Sequence, residues 1–573
     1  MIFIFNKYKI VYSAALVIVA GCIVYANSFS GAFIFDDEAV ILANPHIKQL
    51  WPPREACAAP PDSPVRDRPI VSLTLSINYV LTGSAPFGYH AANLLIHLAA
   101  ALFLFGIIRR TFLSPRLPSR CRSAATGLAL ASALIWTVHP LQTQSVTYLT
   151  QRCESLMGLF YLGTIYGLIR GAASSRSRFW YGFSVLLCAL GMGTKAVMVT
   201  APLVALVYDR VFIASSWNEI RRNRWSLYLA LFLTWTIQAA LVAATSYRDI
   251  RTHQPMVYAL SQFKVIAYYL RLAVFPRPLC LDYHWPPART AAEIIPAALA
   301  IAALLALTVR GLQKAPPLGF AGLWFFLILA PTSSVLPLED IAFEHRMYLP
   351  LAAPVVLGVL GGWELARRLF PGSPARRRRW GIGLTLLAVA GLGTLTVLRN
   401  RDYRSAAAMW EDVIARRPAN PRAYNSLGNI VLKDGDTDRA FQLYRRAAAV
   451  DPGYQAAHYN LANLLAAQGD LDGAVAHYLK TLEINPKAVE AHNNLGVVLY
   501  GRGEADQARA HFLEAMKIDP EDAAAYYNLG LVFLREGLPR EAVRYLDRAS
   551  ALRPDHLPAR RALAAARERL SNP

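Results

Sequence analysis

The sequence predicts an all-α protein: a polytopic membrane helix bundle of about eleven spans, followed by an α-solenoid of paired helices. Three observations predict it. The 573-residue chain is 55% hydrophobic and only 17% charged. Apolar runs of about twenty residues recur up to the region of Arg399. Beyond that point the chain turns polar and Ala-rich and repeats itself every 34 residues.

The candidate spans, in order, are residues 10–28, 90–108, 124–139, 153–170, 179–193, 195–213, 225–245, 291–309, 318–335, 347–365 and 381–398. Basic clusters mark their cytoplasmic ends: Lys7 and Lys9, Arg109 to Arg122, Arg170 to Arg178, Arg210 to Arg224, Arg310 and Lys314, and Arg367 to Arg379. One further apolar segment, 257–275, holds Lys264 and Arg271 and is read as interfacial or re-entrant. Parity then places the amino terminus in the cytoplasm and the repeats outside. The first apolar stretch lacks an A-x-A cleavage site and reads as a retained anchor.

The formal net charge of +21 would suggest nucleic acid in a soluble protein. Here the base sits in short loops between apolar runs, as membrane topology requires, so no nucleic-acid partner is expected. The six cysteines, at 22, 57, 121, 153, 188 and 280, form no CxxC pair, so neither a zinc site nor a thioredoxin motif is signalled. No ligand cluster demands a metal.

The repeats align directly. AYNSLGN starts at Ala423, AHYNLAN at Ala457, AHNNLGV at Ala491 and AYYNLGL at Ala525. Pro418, Pro452, Pro486, Pro520 and Pro554 keep the same step, as do Ala440, Ala474, Ala508 and Ala542. This is the tetratricopeptide pattern of paired helices, with Pro closing the second helix of each pair. The expected division is a membrane domain over 1–398, with its first extracytoplasmic loop and an interfacial helix over 31–89, and a repeat domain over 399–573. The repeats fall at about 421–454, 455–488, 489–522 and 523–556, with an incomplete one around Trp410 and a capping helix after Pro554. Such arrays bind extended peptides or partner proteins. Asn460, Asn494 and Asn528 hold one position in successive repeats. Either they are buried between helices, or they form an amide ladder able to bind a peptide backbone whatever its sequence.

With this topology the unusual polar residues gather outside. Asp36, Asp37 and Glu38 follow the first span in GAFIFDDEAVILANPHI. His139 and Arg152 lie between the third and fourth spans, and Lys195 in the turn between the fifth and sixth. Asp282 and His284 fall in LCLDYHWPP, and Glu344, His345 and Arg346 in EHRMYLP before the tenth span. His90, Asn93 and His97 share one helix face in GYHAANLLIH. Ionisable groups at membrane depth are costly, so their sharing one side predicts an extracytoplasmic polar cavity. For His97 the expectation is hydrogen bonding to neighbouring helices; for His90 that role and a functional one stand level.

Five segments and their order carry a resemblance: FIFDDEAVILANPHI, RPIVSLTLSINYVLTG with GYHAANLLIH, VHPLQTQSVTYLTQRCESLMGLFYL, GTKAVMVTAPLVALVYD and EHRMYLPLA, followed by the repeats. In this order they resemble the transmembrane-and-tetratricopeptide O-mannosyltransferases and their bacterial relatives, over nearly the whole chain. The resemblance implies a GT-C-type membrane fold, the inner membrane of a bacterium, a polyprenyl-phosphate hexose as donor, and an acidic pair in the first extracytoplasmic loop. It also implies an inverting single displacement onto a hydroxyl, on Ser/Thr of exported proteins presented by the repeats. TQRCESLM and TKAVMVT stand where the family more often has GRADLL and KEQGIT.

Such a transfer needs a base at the attacking hydroxyl, positive charge on the departing phosphate, and negative charge near the oxocarbenium-like centre. Asp36 or Asp37 is the expected base, with Asp36, beside apolar Phe35, expected to be the drier. Mutual repulsion should raise one of the two pKa values. Arg152, Lys195, His345 and Arg346 are the expected phosphate holders. Arg68 before Pro69 either touches phosphate or anchors the interfacial helix. The rival readings are a non-catalytic membrane scaffold recruiting envelope or secretion partners through its repeats, and a transferase that glycosylates lipid or polysaccharide.

Overall fold

The computed structural model describes residues 2–60, 63–244 and 254–571. Among these there are helices, turns and loops but no strand. The chain divides into two compact units, Met1–Asp412 and Val413–Pro573. The boundary expected between 398 and 399 falls inside a continuous helix, Pro374–Asp402.

The longer helices of the first unit are α1 (Ile2–Tyr25), α2 (Pro69–Thr82), α3 (Pro86–Leu113), α4 (Ser119–Thr137), α5 (Arg152–Ala172), α6 (Ser177–Met192), α7 (Ala201–Tyr208), α8 (Trp217–Leu233), α9 (Trp235–Ala244), α10 (Pro255–Val274), α11 (Ala291–Lys314), α12 (Pro316–Leu329), α13 (Ala352–Leu369) and α14 (Pro374–Asp402). Proline opens α2, α3, α10, α12 and α14, where a missing N–H costs nothing. Ser216 and Ser373 cap α8 and α14 by accepting from the backbone N–H groups of Glu219 and Arg376.

Six helical stretches among the described residues are long and apolar enough to cross a membrane: Tyr8–Ser30, Pro86–Leu113, Ala196–Ile213, Trp217–Ala244, Ala291–Lys314 and Pro374–Asp402. Ser119–Thr137 and Pro140–Val146, bent by 55° at their junction, add a seventh if taken as one span. The expectation was eleven. Three of the remaining expected spans map to short helices or to one that starts with charge. The segment 179–193 is the 16-residue α6, 318–335 contains the 14-residue α12, and 153–170 lies in α5, whose first turn holds Arg152 and Glu154. Position 245, the end of another expected span, lies outside the described residues. The ambiguous segment 257–275 forms one helix, α10, that buries Tyr258, Gln262, Val265, Tyr269 and Leu272 on a single face. The chain is a multi-pass membrane protein.

A buried aromatic cluster pins the middle of this unit. His97 on α3 stacks on Trp136 of α4, ring centroids 5.0 Å apart. Its two ring nitrogens lie 3.0 Å from the Tyr348 hydroxyl and 3.0 Å from the Thr137 carbonyl. Trp136 Nε1 donates to the Tyr348 carbonyl at 3.0 Å. The expected helix-bonding role of His97 matches this geometry.

In the second unit four helix pairs follow one another: Pro421–Lys433 with Thr437–Val450, Gln455–Gln468 with Leu471–Ile484, Val489–Gly501 with Ala505–Ile518, and Ala523–Arg535 with Pro539–Leu552. Leu557–Ser571 is a further helix after the fourth pair. Ala440, Ala474, Ala508 and Ala542 are fully buried where a larger side chain would hold the paired helices apart. The turn inside each pair carries a glycine at positive φ (Gly435, Gly469, Gly503 and Gly537), the left-handed geometry that ends a helix.

The His97 geometry makes a stability prediction. His97→Leu keeps the volume but strands the Tyr348 hydroxyl and the Thr137 carbonyl, at a cost of about 1–3 kcal/mol. A thermal melt of the detergent-solubilised protein should show the loss; an unchanged melting temperature would contradict it.

Candidate functional site

The acidic loop is built around Asp37. Its carboxylate is completely buried. Oδ1 accepts from the Thr150 N–H at 2.7 Å and the Thr150 hydroxyl at 2.6 Å, and Oδ2 from the Ile34 N–H at 3.0 Å. Burial is the main cause that raises its pKa to about 7. The three hydrogen bonds oppose the rise, and the charge of Asp36 is the smallest contribution to it. The pair does show one raised pKa, but desolvation dominates over the expected repulsion.

Asp36 is only half-buried. Its Oδ2 accepts from the Tyr148 hydroxyl at 2.7 Å, and the same hydroxyl accepts from the Asp36 N–H at 3.2 Å. The expected order of dryness is therefore reversed: Asp37 is the dry carboxylate. The reason is the backbone at Phe35, held at φ +49°. A non-glycine residue pays roughly 1 kcal/mol or more there, and such strain collects at functional sites. The turn sends Asp37 into the protein and leaves Asp36 at the surface, while the Phe35 ring packs edge-on to Trp410 at 5.4 Å. Glu38 is exposed and starts the short helical turn Glu38–Leu42.

The segment from Tyr148 to Glu154 touches both acids and leads into a second cluster. Glu154, in the first turn of α5, is buried and accepts from Lys195 Nζ at 2.5 Å. His345 Nε2 lies 3.9 Å from the same Glu154 oxygen. The His345 ring stacks on Phe343, and its Nδ1 is buried without a hydrogen-bond partner. Burial first, then the charges of Lys195, Arg346 and Arg68, hold its pKa well below the ordinary histidine value. His345 is therefore neutral here, with one N–H to donate.

Arg68 joins this cluster through the backbone. The Ile70 N–H donates to the Gly193 carbonyl at 3.1 Å, which brings the start of α2 against the turn holding Lys195. Glycine suits this approach: a Cβ on residue 193 would stand 2.6 Å from Ile70 Cγ1 and force that side chain to shift. Arg68 pairs with Asp67 at 3.5 Å, and its side chain is 23% exposed. Glu154, Lys195 and His345 thus meet in one buried cluster, and the charge of Arg68 reaches it.

The other two expected phosphate ligands are engaged elsewhere. Arg152 is buried, and its guanidinium donates to Asn93 Oδ1 at 2.6 Å, Asn78 Oδ1 at 2.7 Å and the carbonyls of Thr74 and Tyr89. Arg346 donates to the carbonyls of Asp340, Ile341 and Thr332 and to the Tyr258 hydroxyl. Both forks staple loops to helices, because a buried guanidinium must spend its donors on whatever acceptors enclose it.

The remaining polar residues are also placed by structure. Asn93 donates to the carbonyls of Val146 and Leu149, and His90 Nε2 meets the Gly31 carbonyl at 3.3 Å. His139 accepts from the Leu141 N–H and meets the Ala273 carbonyl. Asp282 accepts from the His284 N–H at 2.9 Å, with His284 exposed at φ +39°. Glu344 is buried and accepts from the Cys280 N–H and the Tyr283 hydroxyl. Among the described residues no three His, Cys, Asp or Glu side chains converge as a metal site.

In the repeats, Asn460 donates to Asn425 and Asn429, and Asn494 to Tyr459 and Asn463, each reaching back to the preceding repeat. Asn528 is half-buried at the third position. The Asn460 and Asn494 amide donors therefore join neighbouring repeats.

Glu154, Tyr148, Thr150 and Gln144, whose Oε1 accepts the His345 backbone N–H at 2.8 Å, are not among the residues singled out from the sequence. For Glu154 a signal was available: an acid opening an otherwise apolar helix. For the others there was none, since a hydroxyl or amide in a loop has too many ordinary uses.

Asp37 makes a pH prediction. Its folded pKa of about 7 lies above the unfolded value near 3.8, so the folded state binds the extra proton between those limits. This carboxyl's contribution to stability therefore falls as pH rises from about 4 to about 7, and is flat above. Melting temperatures of the wild type and Asp37→Asn, taken from pH 5 to pH 8, should diverge with that slope. Parallel curves would refute the assignment.

Comparison with known proteins adds lineage. Tetratricopeptide-repeat families match residues 395–455, 462–503 and 487–555. Protein O-mannosyl-transferase TMTC1 of Homo sapiens is 30% identical over 215 residues, covering 34% of this chain and 23% of that protein. Protein O-mannosyl-transferase TMTC4 of Homo sapiens is 24% identical over 488 residues, 73% of this chain and 64% of that protein. Protein O-mannosyl-transferase Tmtc3 of Drosophila melanogaster is 24% identical over 513 residues, 75% of this chain and 54% of that protein. The chain spans less than two thirds of the length of each of these relatives. It is a homologue of the proteins named protein O-mannosyl-transferases, with tetratricopeptide repeats in its carboxy-terminal part.

Proposed function

We propose that the protein is a membrane glycosyltransferase that moves a hexose from a polyprenyl-phosphate sugar to a hydroxyl, on Ser/Thr of exported polypeptides recruited by the repeats. The observation that carries this reading is the pairing of a half-exposed, Tyr148-oriented Asp36 with a Lys195–Arg68–His345 cluster, tied by one segment, residues 148–154. The O-mannosyl-transferase names of the homologues support the same class.

In this reading Asp36 is the base. It takes the acceptor hydroxyl proton as that oxygen attacks the anomeric carbon. The bond from the anomeric carbon to the phosphate oxygen breaks, and the lipid phosphate leaves as an anion. Lys195 and Arg68 offset its charge, and neutral His345 can donate a hydrogen bond to it. Asp37 does not act on substrate: with its oxygens committed to Thr150 and Ile34, it positions the loop. A single displacement inverts the anomeric centre. This reading puts the protein in the inner membrane of a bacterium, with the repeats on the extracytoplasmic side, as the positions of the basic clusters support. Tetratricopeptide arrays as a class serve protein–protein contact, which supports recruitment of an acceptor polypeptide.

Asp36→Asn should lower transfer from a polyprenyl-phosphate hexose to a Ser/Thr peptide by about 10²-fold or more, with an unchanged melt. Full activity in this variant would remove the enzyme reading and favour a scaffold. Glycan analysis of exported proteins from a deletion strain separates protein acceptors from lipid or polysaccharide ones.

The repeats contain no cysteine, which permits a topology test. With Cys22 and Cys57 replaced by serine, Ala476→Cys should react with a membrane-impermeant maleimide on intact cells. Protection until lysis would place the repeats in the cytoplasm.

A further inference from the structure

The phosphate-holding role leaves one buried charge unexplained. Glu154 is 2% exposed and lies against the very groups that would hold an anion: Lys195 Nζ at 2.5 Å and His345 Nε2 at 3.9 Å. Arg68 also senses its charge. A site built only to grip phosphate would omit this carboxylate, because it cancels one of the two permanent positive charges an anion would meet. Nor does α5 need it to fold. A glutamate in a first turn is stabilised by the helix dipole, but many polar residues serve there.

The chemistry supplies a reason. A lipid-phosphate sugar is a phosphodiester with one negative charge. The departing lipid phosphate is a monoester, whose second ionisation lies near pH 6, at about two negative charges. The product is thus the more tightly held of the two in a cationic site, and excess positive charge would trap it. We propose that Glu154 is a positioning residue that holds the Lys195 ammonium at the donor phosphate and, by cancelling one positive charge there, weakens the grip on the departing lipid phosphate so that it can be released. The inference rests on the donor chemistry proposed above.

The test uses the full-length protein in detergent micelles, with farnesyl phosphate as the probe in calorimetry. Wild type should bind it. Glu154→Gln should bind it about tenfold more tightly, since one opposing charge is gone. Glu154→Asp, which keeps the charge, should stay near wild type. In turnover, Glu154→Gln should lower kcat and the donor KM together, a split that a merely structural lesion does not produce. If Glu154→Gln binds no more tightly than wild type, the inference fails. Should that variant not fold, Lys195→Met/Glu154→Gln is compared with Lys195→Met alone, and equal affinities overturn the inference in the same way. Wild type that binds no farnesyl phosphate overturns the donor reading itself, and this inference with it.

Discussion

The Asp37–Thr150 interaction is the constraint on which the candidate site depends. Two loops separated by more than a hundred residues meet through one buried carboxylate and the two donors of Thr150, while the Ile34 N–H closes the acidic loop on the same group. An ionised carboxylate is costly to bury, so it persists only where hydrogen bonds replace its water. Those bonds fix both the acidic loop and residues 148–154, from which Tyr148 reaches Asp36 and Glu154 reaches Lys195. The same loop carries the positive φ at Phe35, immediately before the two acids.

The cations around the candidate site differ in what surrounds them. The enclosed guanidinium groups of Arg152 and Arg346 give their donors to carbonyls, side-chain amides and a hydroxyl, and become staples between loops and helices. Lys195 and Arg68 instead pair with carboxylates, Glu154 and Asp67, and keep some access to solvent. A bundle in lipid must satisfy nearly every buried polar group from within. The sites left over for function are therefore few.

Legibility followed the range of the interactions involved. The repeats were visible because each is one supersecondary unit repeated at a fixed step, and their Pro, Ala and Gly positions are dictated locally. The long apolar helices were visible for a similar reason, but their number was less so. Short helices such as α6 and α12 are apolar enough to suggest spans, yet of 16 and 14 residues. The acidic pair could be named from its place after the first span, but not which acid was dry. That depends on Thr150 and Tyr148, which local sequence does not connect to it. Arg152 and Arg346 looked like phosphate ligands because residue type shows what a side chain can bind, not what already surrounds it.

The all-α class, the membrane and repeat halves, and the resemblance that homologues named O-mannosyl-transferases bear out are all legible in the sequence. So are most polar residues of the candidate site. Their surroundings come from the fold: Asp37 buried and Asp36 half-buried, two arginines enclosed by acceptors, and Glu154 beside Lys195. Periodicity and composition are properties of neighbouring residues, and a chain carries them openly. Burial and the satisfaction of each charge are settled by contacts between distant segments, and these exist only once the chain has folded.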